Sequence, residues 1–189
     1  GERRARQRLL SALFVETDVR NARQVEDLVA AALKTYGGLH VAFNNAGILP
    51  AGALLADVEE SAFDQVVAVD LKGVFLAMKY EIQHMLKAGG GAIVNNASIA
   101  GMIAEAGISS YVAAKHAVIG LSRAAAIEYA SQGIRINALA PGLVETGMTK
   151  HWFADDKIRA SLLGRHRSAA PRNLRDSGDG AVPLLGFSF

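Results

Sequence analysis

The 189-residue sequence contains no cysteine, which excludes a disulfide scaffold, a thiolate metal site and a cysteine nucleophile. Proline is scarce, at 4 residues, and the 19 glycines follow no three-residue period, so neither a collagen-like nor a low-complexity chain fits. No apolar run approaches the roughly 18 residues that span a bilayer. The basic opening from Gly1 also lacks the apolar stretch of a secretory signal, so the expected location is the cytoplasm. His84, His116 and His151 stand at no metal-ligand spacing and no carboxylate cluster joins them, so no metal is expected. What the chain has is apolar mass: 51% hydrophobic residues over this length suffice for one domain with its own core.

A formal net charge of +2 hides an uneven distribution. Arg3, Arg4, Arg6 and Arg8 crowd one end, and the stretch from Lys157 to Arg175 holds bases without an acid, so the central body is acidic. An acidic body argues against a nucleic-acid surface built into the fold, and the basic ends read as solvated tails. The competing reading of those ends, RNA binding, predicts a steep dependence on salt.

Along the chain, short apolar runs alternate with segments of helical period. Ala12 to Val15 reads as a strand, and Val25, Leu28, Val29, Ala32 and Leu33 recur at helical spacing until Gly37 and Gly38. Leu39 to Phe43 is a second strand, followed by a long helical segment from about Ser61 to Lys87 that Gly89, Gly90 and Gly91 close. Ala92 to Val94 reads as a third strand, Ser110 to Ala130 as an alanine-rich helix, and Ile134 to Leu139 as a fourth strand ending at Pro141 and Gly142. Such alternation predicts a parallel sheet with helices on both faces. Asp18, Asn45, Ser98 and Thr146 each follow a predicted strand, which would gather them at the carboxyl edge of that sheet, where such folds bind ligands. Beyond about Arg165 no period of 2 or 3.6 survives and no final strand is convincing. Three regions are therefore expected: a basic stretch at 1–11, an α/β domain at 12–165 and an irregular tail at 166–189.

Tyr111 and Lys115 are four apart on a predicted helix, so the ammonium can approach the phenol, favour its ionised form and make it a usable acid or base. Ser98, thirteen residues earlier at a strand end, is placed to polarise a carbonyl from the same edge; its simpler reading is a turn cap.

Three motifs together resemble the short-chain dehydrogenase/reductase family: Asn44-Asn45-Ala46-Gly47 after a strand, Ser98 ahead of Tyr111-x-x-x-Lys115, and Pro141-Gly142-x-Val144-x-Thr146 after the next strand. The likeness runs from about Ala12 to Met148. It implies an α/β Rossmann-type fold, an NAD or NADP cofactor, and hydride exchange between that cofactor and a small alcohol or carbonyl substrate. It also implies a homo-oligomer, or a mixed oligomer with related subunits. By position, Tyr111 would be the acid/base, Lys115 would lower its pKa and hold the nicotinamide ribose, and Ser98 would orient the carbonyl. Asp18 and Val19 match contacts to adenine; Asn45, Ala46 and Gly47 match the turn beside the adenine ribose. Pro141, Gly142, Val144 and Thr146 match the cofactor segment in which Val144 and Thr146 hold the carboxamide, and Met148 to about Leu163 would cover the substrate, with Trp152 and Phe153 as an apolar lid or as core packing.

The sequence departs from the family pattern at three places. Asp70 stands where the resemblance implies an asparagine that relays protons to the lysine, so the tyrosine is expected to be a poorer base and turnover lower. The first two strands, the Gly-rich phosphate turn and the last strand of the family have no counterpart, which would leave Ala12–Val15 without a neighbour and Leu39–Phe43 as an exposed apolar edge. One back-translation of Pro171 to Phe189, read one base later, yields a family-like stretch, as an altered reading frame would. The alternative to an enzyme is a non-catalytic protein that associates with related subunits through the long helices, Ser61–Lys87 and Ser110–Ala130.

Overall fold

The computed structural model describes residues 12–144, 146–149 and 154, and the backbone of 185–187. Its first helix, α1 (Ala22–Tyr36), starts where the Asn21 side chain accepts from the backbone N–H groups of Arg23 and Gln24, and it ends at Gly37. Strand β1 (Val41–Asn44) follows, then α2 (Glu60–Val66), a π-helical stretch (Val67–Lys72) and α3 (Gly73–Ala88). Strand β2 (Gly91–Asn96), α4 (Ser109–Tyr129) and β3 (Ile134–Ala140) complete the alternation, and β4 (Leu185–Phe187) is added at the end.

The sheet order is β1-β2-β3-β4. The first three strands are parallel, with Ala42 beside Ile93 and Ile93 beside Ile136. That row packs against Val74, Met78, Ile82 and Met85 of α3 and Val118, Ile119, Ala125 and Ala126 of α4, each set at helical spacing. Successive right-handed crossovers in one direction along the sheet put α3 and α4 on the same face. The sheet was expected to be covered on both faces; among the described residues one is. On the other face Val41 and Phe43 are 67% and 56% exposed. β1 is also an edge strand, as expected of Leu39–Phe43.

Two expectations about strands also differ from the structure. Ala12–Val15 forms no strand, because among the described residues no neighbouring strand supplies the backbone partners that an extended segment needs. The tail, expected to be irregular, contributes β4, which pairs antiparallel with β3 through Ala138 beside Phe187 and Ala140 beside Leu185. The open edge of β3 offers the unpaired N–H and C=O groups that a passing segment can take up. The basic ends, the lid residues Trp152 and Phe153, and most of the stretch read for a changed frame lie outside the described residues.

The segment after residue 15 is held by packing rather than by pairing. Val19 lies against the start of α3, where a Cβ added to Gly73 would sit 2.8 Å from Val19 Cγ2, so only glycine admits this approach. No helix among the described residues is long and apolar enough to cross a membrane.

Candidate active site

Parallel strands deliver their carboxyl ends to one edge, and the candidate residues arrive there from four elements. β1 runs out into Asn45, Ala46 and Gly47, and β2 into Ser98, whose Oγ accepts from Ala100 N at 3.1 Å and caps a short 3-10 turn, Ile99–Gly101. The serine is thus both a cap and a member of the site. That turn lies directly on α4: a Cβ on Gly101 would be 2.7 Å from the Lys115 carbonyl oxygen. α4 presents Tyr111 and Lys115, and the π-helical stretch brings in Asp70. The extra residue per turn in such a stretch re-aims side chains, which is why these segments recur at functional sites.

Asp70 and Lys115 form a buried ion pair, Oδ2 to Nζ 3.6 Å, with side-chain exposures of 0% and 5%. Asp70 Oδ1 accepts from Ile48 N at 2.8 Å, and Lys115 Nζ donates to the Asn96 carbonyl at 3.1 Å. The ammonium lies 5.4 Å from the centre of the Tyr111 ring. Burial pushes the Asp70 carboxyl above its ordinary value and the Lys115 ammonium below its own, and the attraction between the two opposes both changes. Burial also raises the Tyr111 phenol; the Ser98 hydroxyl counters this and the Asp70 charge adds to it.

A cleft of about 320 Å³ opens in front of this pair. Ser98, Tyr111, Pro141, Gly142, Val144 and Thr146, all expected at the site, line it, together with Glu105 and several aliphatic side chains. Asn45, Gly47, Asp70 and Lys115 stand beside it, with Asn45 Oδ1 accepting from Asn96 Nδ2 at 2.6 Å and Gly47 within van der Waals reach of the ion pair. Ala46 joins the two in the same turn. Asp18 and Val19 are elsewhere, in front of α1. The Asp18 carboxylate, held at about 2 by its 2.7 Å pairing with Arg20, and the Asp18 N–H, donated to Gln24 Oε1 at 2.6 Å, already have partners. His116 binds the Val112 carbonyl and adjoins the site without entering it.

Sequence reasoning missed a buried polar chain behind the site. Asn44 Nδ2 donates to Glu81 Oε2 at 3.1 Å and to Asn95 Oδ1 at 2.9 Å; Asn95 Nδ2 donates to Ser122 Oγ at 2.9 Å, and that hydroxyl donates to Val118 O at 2.7 Å. The one local signal was Asn95-Asn96 closing an otherwise apolar strand. Among the described residues no group of His, Asp or Glu is arranged to hold a metal.

A family described as short chain dehydrogenase matches residues 3–157. A cyclohexanol dehydrogenase from an Acinetobacter species is 46% identical over 148 residues, which is 77% of this chain and 59% of that protein. A 2,5-dichloro-2,5-cyclohexadiene-1,4-diol dehydrogenase from Sphingobium indicum is 44% identical over 146 residues, 77% of this chain and 58% of that protein. Among solved structures, ElxO with NADP bound superposes with a TM-score of 0.77 at 35% identity, covering 83% of this chain and 64% of that one. Levodione reductase gives 0.74 at 37% identity, covering 80% and 60%. The chain thus spans less than two thirds of the length of these relatives.

Proposed function

This chain belongs to the short-chain dehydrogenase family, and from that premise we propose that it serves hydride exchange between NAD or NADP and a small secondary alcohol or its ketone. The observation that carries the reading is the convergence of Ser98 and Tyr111 on one cleft, with the Lys115 ammonium 5.4 Å from the Tyr111 ring. Side chains from β2, α4 and the segment after β3 meet there, although more than 40 residues separate Ser98 from Val144 and Thr146.

The described residues fit the nicotinamide half of such a cofactor. The buried Asn96 Oδ1 has no hydrogen-bond partner, and Gly47 leaves the ion pair covered by no side chain of its own. Tyr111 and Lys115 would hold the ribose, with Pro141, Gly142, Val144 and Thr146 along the ring and its carboxamide. A bound nicotinamide supplies or accepts the hydride. Tyr111 moves the proton at the substrate oxygen, Ser98 orients that oxygen by a hydrogen bond, and the aliphatic walls exclude water. Asn45 to Gly47 would border the adenine ribose, and Asp18 and Val19 would meet adenine once Asp18 exchanges its exposed Arg20 partner.

For the substrate we infer a neutral alicyclic alcohol or ketone. The cleft of about 320 Å³ is mostly aliphatic, and relatives named for cyclohexanol and a cyclohexadiene diol stand at 46% and 44% identity. The test is titration of the purified chain with NADH and NADPH, followed by nicotinamide fluorescence, and then cyclohexanol oxidation. Saturable micromolar binding is expected, with Tyr111→Phe retaining binding and losing about 100-fold or more of the turnover. Absence of binding up to millimolar nucleotide would overturn the reading.

A further inference from the structure

The resting charge beside Tyr111 is set by two groups rather than one. Lys115 Nζ and Asp70 Oδ2 are 3.6 Å apart, and both side chains are buried. As an ammonium with a carboxylate, or as an amine with a carboxylic acid, the pair carries no net charge. A lone ammonium within about 4–6 Å of a phenol would favour the phenolate by about 1–3 pH units, and the paired one, 5.4 Å from the centre of the Tyr111 ring, loses most of that effect. The pair is also fixed in place. Ile48 N donates to Asp70 Oδ1 at 2.8 Å, and Asn96 O accepts from Lys115 at 3.1 Å.

We propose that Asp70 is a positioning residue that acts through Lys115 to keep the proton on Tyr111, so that the site gives a proton to a carbonyl oxygen more readily than it takes one from an alcohol. The inference rests on the reading of Tyr111 as the acid/base. In that direction the carbonyl oxygen gains the Tyr111 proton, while its carbon would gain the hydride that a bound reduced nicotinamide supplies on being oxidised. The C=O π bond is replaced by C–H and O–H bonds, and the phenolate left behind recovers its proton from solvent. In the opposite direction Tyr111 must first lose its proton, which the neutral pair does not assist.

Among the described residues, the groups that share the cleft with Tyr111 or lie against it are few. α4 contributes Lys115, the π-helical stretch contributes Asp70, and the loop before α4 contributes Glu105, which lines the same cleft and adds a second negative side chain. The turn after β2 offers the Ser98 hydroxyl, and the described segment after β3 offers Thr146 and Thr149. Lys115 is the one cation in this set among the described residues, and its pairing with Asp70 leaves no unbalanced positive charge beside Tyr111.

The experiment is a titration of the phenol by ultraviolet difference absorbance, with the spectrum of Tyr111→Phe subtracted to isolate one tyrosine from the 4 present. In the unaltered chain Tyr111 is expected to ionise above the ordinary phenol value of about 10. In Asp70→Asn, which keeps the shape and removes the charge, the midpoint is expected to fall by about one unit or more. Asp70→Ser serves as a second variant and is expected to move it the same way. Ionisation of Tyr111 below the ordinary value in the unaltered chain, or an unmoved midpoint in a folded variant, would overturn the proposal. No nucleotide or substrate enters this titration, so its failure is distinguishable from a failure of nucleotide binding, which bears on the functional reading.

Discussion

The Asn44 side-chain amide donates a 3.1 Å hydrogen bond to the buried Glu81 carboxyl, joining the edge strand β1 to α3 immediately before the turn that opens the site. Asn44 is also bonded to Asn95 at 2.9 Å, so Glu81 terminates a polar chain that crosses the sheet into α4. Burial pushes Glu81 up to about 7, with the Asn44 bond opposing.

The first prediction concerns pH. The folded state binds the Glu81 proton more tightly than the unfolded state does. The stability this confers is fully present below the ordinary carboxylate value of 4.5 and is lost as pH rises through about 7. A shift of this size corresponds to about 3 kcal/mol. Urea unfolding of Glu81→Gln across that window should show a shallower pH slope than the unaltered chain. A remaining slope of the same sign is expected from Asp70, which burial also raises.

A second variant separates pairing from packing at the ion pair. Lys115→Met keeps the length of the side chain but leaves Asp70 buried without its partner, which at neutral pH should cost about 3–5 kcal/mol in denaturant unfolding. Because burial already raises the Asp70 carboxyl, the cost should shrink as the solution is acidified and Asp70 becomes neutral. An equal cost at both pH values would show that packing, rather than charge, dominates.

Gly101 tests the seat of the Ser98 turn on α4. A methyl group there would meet the Lys115 carbonyl at 2.7 Å, and a backbone atom cannot rotate away. Gly101→Ala should therefore lower stability by about 1–3 kcal/mol and weaken nucleotide binding, whereas Gly120→Ala, on α4 with nothing within 4 Å, should leave both nearly unchanged.

The edge strand makes a prediction about association. Val41 is 67% exposed on β1, which pairs with β2 on one side and, among the described residues, has no strand on the other, a template for pairing with another chain. Val41→Lys should shift sedimentation toward smaller species and raise the soluble concentration several-fold, with no effect on nucleotide binding.

Legibility in the sequence varied with how local the signal was. β2 and β3 fell within two residues of their expected bounds, because Gly90 and Gly133 precede them and an apolar run needs no distant partner to be recognised. The helix expected from Ser61 to Lys87 is interrupted at Val67–Lys72, since a period of 3.6 does not register the extra residue of a π-helical stretch. Ala12–Val15 had the composition of a strand and no partner to make it one, while 185–187 lacked the pattern and found the open edge of β3.

The alternation from α1 to β3, and the placing of Asn45, Ser98, Tyr111 and Lys115 beyond strand ends or on one helix face, were determined by the sequence alone, because period, turn residues and spacing are properties of neighbours along the chain. Only the tertiary structure decided the charges. Asp70 and Lys115 are 45 residues apart in sequence and 3.6 Å apart in space, and Glu81 meets Asn44 across 37 residues. Burial and partner together set whether such groups hold a proton, and both arise when separate elements close over the same core.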